Sequence, residues 1–201
     1  MRHLLPFAAP AALLVVLVSA IVFWPAHKTT SGTEEEPPPV RITVAALGDL
    51  LMHMPVVNSV YDTTTGTYDF GQIFAPIVPY ISSPDYTVAN LETRLAGASK
   101  GYCGYPLFNT PADLAHHLRE AGIDLLATAN NHSLDMGWDG IVHTLDNIDA
   151  AGIAHIGTYR SPAEKKRPFI ANVNGVKLAF LNYTASTNGI HPFGNTTLPG
   201  Y

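Results

Sequence analysis

Cysteine is nearly missing from this chain: Cys103 stands alone among 201 residues. One thiol excludes an intrachain disulfide and any thiolate metal cluster. Charge is scarce too, at 13% of residues, and it leans acidic, with 11 Lys and Arg against 16 Asp and Glu. No Lys/Arg-rich patch breaks that balance, so nucleic acid is removed from the expected partners. A Gly-rich phosphate loop, a Ser nucleophile elbow and paired-Cys spacing are absent as well. Any chemistry must therefore rest on carboxylates, amides and imidazoles.

Apolar residues are plentiful, at 47%, and one run of them is uninterrupted. Residues 4–24 carry no formal charge, and 21 residues at ~1.5 Å each reach about 31 Å, the thickness of a bilayer core. Arg2 precedes the run and Glu34-Glu35-Glu36 follow it. The positive-inside tendency then puts the start in the cytoplasm and the remainder outside. Residues 1–26 are expected to be a single-pass anchor in the cell membrane, with an extracellular C-terminal domain. A cleaved signal peptide competes, with Val18 and Ala20 as small residues before the cut, but Ile21-Val22-Phe23-Trp24 prolong the run beyond a typical signal core. Residues 27–40 are polar, then acidic, then Pro-rich, and read as a linker.

From Arg41 the chain alternates between strand and helix patterns. Residues 42–47 read as a buried strand closing on Gly48-Asp49, and residues 86–91 as a second one ending at Glu92. Residues 70–81 suit a helix interrupted at Pro76 and Pro79. Thr110-Pro111 opens another helix, whose apolar stripe is Leu114, Ala115, Leu118 and Ala121, stopped by Gly122. A third strand, 123–129, leads into Asn130-Asn131-His132-Ser133-Leu134-Asp135-Met136-Gly137, and a helix over 138–151 shows Ile141, Val142, Leu145 and Ile148 on one face. Gly152 stops it before a strand at 153–156. The repeated junctions Ala121-Gly122-Ile123 and Ala151-Gly152-Ile153 mark βαβ units, so the fold class is α/β with parallel neighbours. Asn174-Gly175 between two apolar runs predicts a closing hairpin over 169–183.

Three strands in turn thus end in a polar group: Asp49, then Glu92, then Asn131 and His132. The carboxyl ends of parallel strands share one edge, so residues far apart in sequence converge there. An oxygen and nitrogen donor set without sulfur suits manganese, iron, magnesium or zinc, one or two ions in all. His53 joins them only if residues 49–53 make a helical turn. Blander roles exist for each residue. Asp49 and Asp135 suit helix caps, Asp135 for the helix near Trp138; Glu92 suits a solvated loop; Asn130 suits a backbone tie. His116, His117 and His143 read as surface residues, His155 as a satisfied interior one, and His191 as a loop residue near the same edge.

Four motifs carry a resemblance: Gly48-Asp49-Leu50-Leu51-Met52-His53, Ala89-Asn90-Leu91-Glu92-Thr93, Tyr105-Pro106-Leu107-Phe108-Asn109, and Ala129-Asn130-Asn131-His132-Ser133-Leu134-Asp135-Met136-Gly137. In that order they resemble the CapA family of poly-gamma-glutamate capsule biosynthesis proteins, from Arg41 to the last residue. The resemblance implies a calcineurin-like metallophosphoesterase sandwich with flanking helices. It implies Asp49, Glu92, Asn131 and His53 as metal ligands and His132 as the catalytic proton donor. It also implies the membrane, capsule synthase subunits and poly-gamma-glutamate as partners. The family's His-Trp-Gly and Gly-x-His-Pro-His runs do not occur, so residues 41–201 are expected to be an incomplete, amino-terminal portion of the domain, weak in metal binding and inactive by itself. A metal-dependent hydrolase is one expected function, and a non-catalytic scaffold subunit of a polymer synthase complex is the other.

Overall fold

Three stretches of backbone emerge side by side at one edge of a parallel sheet, and the fold is best followed from them. In a computed structural model, which describes residues 38–191, the main sheet holds four strands: β1 (Val44–Leu50), β4 (Tyr86–Leu91), β5 (Leu125–Ala127) and β6 (Ala154–Ile156). Their order is β1-β4-β5-β6 and every pairing is parallel. Register places Asp49 beside Asn90 and Asn90 beside Ala127, with an irregularity in β1 between Ala46 and Asp49. The anchor expectation, residues 1–26, lies outside the described residues, as does most of the linker. Among the described residues no helix is long and apolar enough to cross a membrane.

Helices alternate with these strands, and all but the last of them contribute buried residues to the core. They are α1 (Met54–Ser59), α2 (Gly71–Phe74), α3 (Val78–Ser82), α4 (Asp113–Ala121), α5 (Gly137–Ala150) and the short α6 (Pro162–Lys165). Leu114, Ala115, Leu118 and Ala121 of α4, and Ile141, Leu145 and Ile148 of α5, are buried against Leu91 and Leu126 of the sheet. Each such aliphatic side chain contributes about 1.5–3 kcal/mol on leaving water. Along β4 the pattern alternates strictly: Thr87, Ala89 and Leu91 are buried, while Tyr86, Val88 and Asn90 are half-covered on the other face. Gly122 caps α4 at φ 102°, a left-handed conformation that glycine adopts freely.

Two antiparallel ribbons complete the described residues. Strands β2 (Tyr61–Asp62) and β3 (Thr67–Tyr68) form a small one; β7 (Ile170–Val173) and β8 (Val176–Ala179) form the expected hairpin. Its turn is Asn174-Gly175, both at positive φ. Asn174 Nδ2 donates to Asp85 Oδ1 (2.8 Å), and Phe180 stacks on Tyr86 (5.5 Å between ring centroids), which ties the hairpin to the start of β4.

Several boundaries differ from the sequence reading. The expected helix over 70–81 breaks between α2 and α3 around Pro76, but Pro79 sits in the first turn of α3, where its missing N–H costs nothing. Thr110 does not cap α4. The cap is Ala112, and the Thr110 hydroxyl is buried against Thr93 Oγ1 at 2.7 Å.

Candidate functional site

The sheet edge gathers the polar groups through a relay of amides. Asn130 Nδ2 donates to Asn90 Oδ1 (3.1 Å) and to the Leu91 carbonyl (2.9 Å); Asn90 Nδ2 donates to Asp49 Oδ1 (2.8 Å). Three neighbouring strand ends are thereby laced together by side chains where the backbone ladder stops. Asn130 Oδ1 also accepts the His132 N–H (3.1 Å), so the backbone tie foreseen for Asn130 is made while its amide nitrogen serves the site.

Glu92 is buried rather than solvated, and its carboxyl interacts with that of Asp49. Burial and then the neighbouring Asp49 carboxyl push Glu92 above the ordinary glutamate value, while the charges of His132 and Arg94 pull it back. Asp49 itself is exposed and caps no helix: α1 has His53 at its N-cap. His132 is buried, with Nε2 4.0 Å from Glu92 Oε1.

On its other side His132 Nδ1 lies 2.8 Å from Asp135 Oδ2. That contact corrects the helix-cap expectation for Asp135. Helix α5 has Met136 at its N-cap with no side-chain cap, because the Asp135 carboxylate is committed to His132 and to the Phe108 N–H (2.7 Å). Phe108 also packs edge-on against both imidazoles, at 4.8 Å from His132 and 5.0 Å from His53. The helical turn that would carry His53 to Asp49 does not form: β1 runs to Leu50, and α1 begins only at Met54.

Beneath these groups lies Arg94, fully buried, donating Nη2 to the Leu91 carbonyl (2.6 Å) and Nη1 to the Thr128 carbonyl (3.4 Å). Burial pulls its guanidinium down to about 10, against the charges of Asp135 and Glu92, so it stays charged at neutral pH. From the far end of the chain Asn188 reaches in. Its amide lies 3.4 Å from Asn131 Nδ2 and 3.4 Å from His132 Nδ1. Asn182 accepts the Ala129 N–H (2.7 Å) and donates to the Ala129 carbonyl (3.1 Å), fixing the loop that carries the site.

The donor chemistry fits a hard cation only in part. Asp49 and Glu92 present a pair of carboxylates, yet among the described residues no three His, Cys, Asp or Glu side chains are grouped to hold an ion. The other described histidines are placed as follows. His116 and His143 are exposed, His117 meets Asp69, His155 meets Asp149 on one nitrogen and is buried without a partner on the other, and His191 ends the described residues.

The family model described as Bacterial capsule synthesis protein PGA_cap matches residues 43–197. The chain belongs to this family. It is 28% identical over 155 residues to the Capsule biosynthesis protein CapA of Bacillus anthracis, covering 72% of this chain and 35% of that protein. To the PGA biosynthesis protein CapA of Bacillus subtilis (strain 168) it is 25% identical over 147 residues, covering 71% and 37%. The Uncharacterized protein y4sH of Sinorhizobium fredii is 25% identical over 150 residues, covering 72% and 30%. The chain thus spans about a third of the length of these relatives.

The strand-end rule set Asp49, Glu92, Asn131 and His132 along one sheet edge, and the structure brings Asp49, Glu92 and His132 together there. The rule missed Arg94, whose burial no local pattern announces, and Phe108, whose role is to pack two imidazoles. Asn90 was findable, since period-two alternation puts it on the face opposite Leu91 at a strand end.

Proposed function

We propose that this chain is an exterior, membrane-anchored component of bacterial capsule polymer synthesis or export, with a hydrolase-like site at the carboxyl edge of its sheet. Support for the capsule role comes from the family and from the names of its relatives. Support for the site comes from one observation above all: Asp49, Glu92 and His132 converge from three strand ends, with the Glu92 and Asp49 carboxyls interacting and His132 Nε2 4.0 Å from Glu92 Oε1. Two carboxylates so placed repel each other once both are ionised, and a divalent cation relieves that repulsion. In this reading Asp49 and Glu92 would hold the cation, together with the Asn131 side-chain oxygen. Bound there, a cation polarises a phosphoester or amide oxygen and lowers the pKa of its water. His132 gives the proton to the leaving oxygen. Poly-gamma-glutamate is the proposed polymer, and because chain and polymer are both acidic, bridging cations would mediate contact.

Manganese titration by calorimetry, together with hydrolysis of bis(p-nitrophenyl) phosphate, tests the site. Metal binding that Glu92→Gln abolishes is expected of this chain, and hydrolysis that His132→Ala abolishes is expected of a chain that also carries the family's later histidine runs. If a strain with His132→Ala makes normal capsule while one lacking residues 4–24 makes none, the catalytic reading fails. A scaffold subunit of the synthase complex is the second reading, favoured by the incomplete donor set.

A further inference from the structure

We infer that Asp135 is a positioning residue for His132: its buried carboxylate fixes the imidazole as the Nδ1–H tautomer and aims Nε2 at the Asp49–Glu92 pair. The inference deepens the proton-donor reading of His132 and rests on it. The Asp135 side chain is 0% exposed, and its Oδ2 receives two hydrogen bonds, from the Phe108 N–H at 2.7 Å and from His132 at 2.8 Å. An ionised carboxylate only accepts, so the hydrogen in the second bond belongs to Nδ1. With Nδ1 occupied, Nε2 carries the lone pair, and it is this nitrogen that lies 4.0 Å from Glu92 Oε1.

Of the ring's other neighbours, Phe108 is neutral towards that state and Asn188 competes with it. Phe108 holds the imidazole edge-on at 89°, which fixes its plane without competing for a hydrogen bond. Asn188 Nδ2, at 3.4 Å from Nδ1, would serve as a donor to a bare nitrogen. Asp135 is 0.6 Å closer and charged, and charge-assisted bonds are roughly twice as strong as neutral ones. Arg94 supplies the buried positive charge that a sequestered carboxylate requires. Asp135 Oδ1 and Arg94 Nε are both buried without hydrogen-bond partners among the described residues. Asp135 thereby holds the ring in place, the role an orienting acid plays beside a catalytic imidazole.

The test is tautomer spectroscopy on the full chain labelled with 15N-histidine, by long-range proton–nitrogen correlation at a pH where the ring is neutral, with His132→Gln assigning the signal. In the unsubstituted protein His132 is expected to show one dominant form, protonated at Nδ1 and bare at Nε2. A dominant Nε2–H form, or an even mixture, overturns the inference without any variant. Removing Asp135 alone would strand Arg94, so the second arm uses Arg94→Met with Asp135→Leu, which removes both charges. Loss of the Nδ1–H dominance in that folded variant is expected, and its persistence overturns the role of Asp135. Hydrolysis by His132→Ala is read separately. Full activity in that variant, with the Nδ1–H form seen in the unsubstituted protein, sinks the proton-donor reading and leaves the positioning of the ring standing.

Discussion

Replacing Arg94 by Met isolates the energetics beneath the site, because Met keeps an unbranched stem and discards the charge. The two carbonyls that Arg94 serves do not become orphans. Leu91 O keeps the Asn130 amide at 2.9 Å, and Thr128 O keeps the Ser133 hydroxyl at 2.9 Å. The penalty therefore falls on the carboxylates, above all Asp135, whose side chain is wholly enclosed. Removing one partner of a buried charge pair costs about 3–5 kcal/mol. The lower end, about 3 kcal/mol, applies here, because Asp135 Oδ2 retains two hydrogen bonds. A domain stable by about 5–15 kcal/mol survives such a loss while melting far earlier. In urea, with a slope of about 2 kcal/mol per molar, the midpoint should fall by about 1.5 M. Adding Asp135→Leu should restore part of the loss, giving a coupling of about 1–3 kcal/mol. A midpoint shift below about 0.5 M at unchanged slope, or full additivity of the two substitutions, would refute the pairing of Arg94 with Asp135.

Gly157→Ala should destabilise the chain by at least ~1–2 kcal/mol in the same assay, because Gly157 sits at φ +103° and an added Cβ would strike Asn182 Oδ1 and the Ala129 nitrogen at 2.7 Å; near-neutral behaviour would show that the Asn182 anchor yields freely. Burial lowers the His155 pKa below its ordinary value, with Asp149 pulling the other way. The unfolded chain then takes up that proton first, so stability should fall as pH drops below about 6.5, with a smaller fall in His155→Gln; equal slopes in the two melting-temperature profiles would count against it. Tyr86 is pushed up to about 12, first by burial and then by the Asp124 charge. Stability should therefore decline as pH rises from about 10 towards 12, and the tyrosinate absorbance curve of Tyr86→Phe should lack its last component. An unchanged high-pH limb in that variant would remove the assignment.

Elements were legible where one rule dominated. Strand β4 and helices α4 and α5 each bury a continuous apolar face, so period two or 3.6 shows through, and Gly122 and Gly152 mark the stops. Helix α1, the β2–β3 ribbon and α6 were not legible, being short pieces whose order comes from contacts elsewhere in the chain. At the site, topology alone predicted which residues meet. The parallel register delivers Asp49 beside Asn90 and Asn90 beside Ala127, so a rule about strand ends reaches residues far apart in sequence. Asp135 was misread because a carboxylate two residues before a helix satisfies the capping pattern, and the sequence does not reveal a competing buried imidazole. The His132 to Asp135 spacing was nevertheless present. A turn closed by Asp135 N–H to the His132 carbonyl (3.2 Å) is what brings the two side chains together.

The same loop explains why amides outnumber charges around the site. Asn90, Asn130, Asn131, Asn182 and Asn188 each offer a donor and an acceptor, so they bridge strand ends and passing loops without adding to the negative charge of Asp49, Glu92 and Asp135. With carboxylates in their place, the edge would carry like charges within hydrogen-bond reach of one another, and Arg94 alone could not offset them. Lysines there would pair with the carboxylates and occupy the position proposed for a cation. Neutral bridges leave Asp49 and Glu92 as the most negative point of the edge, facing the one nitrogen of His132 that Asp135 does not hold. The electrostatic contrast of the site therefore depends on asparagine as much as on the ionisable residues it surrounds.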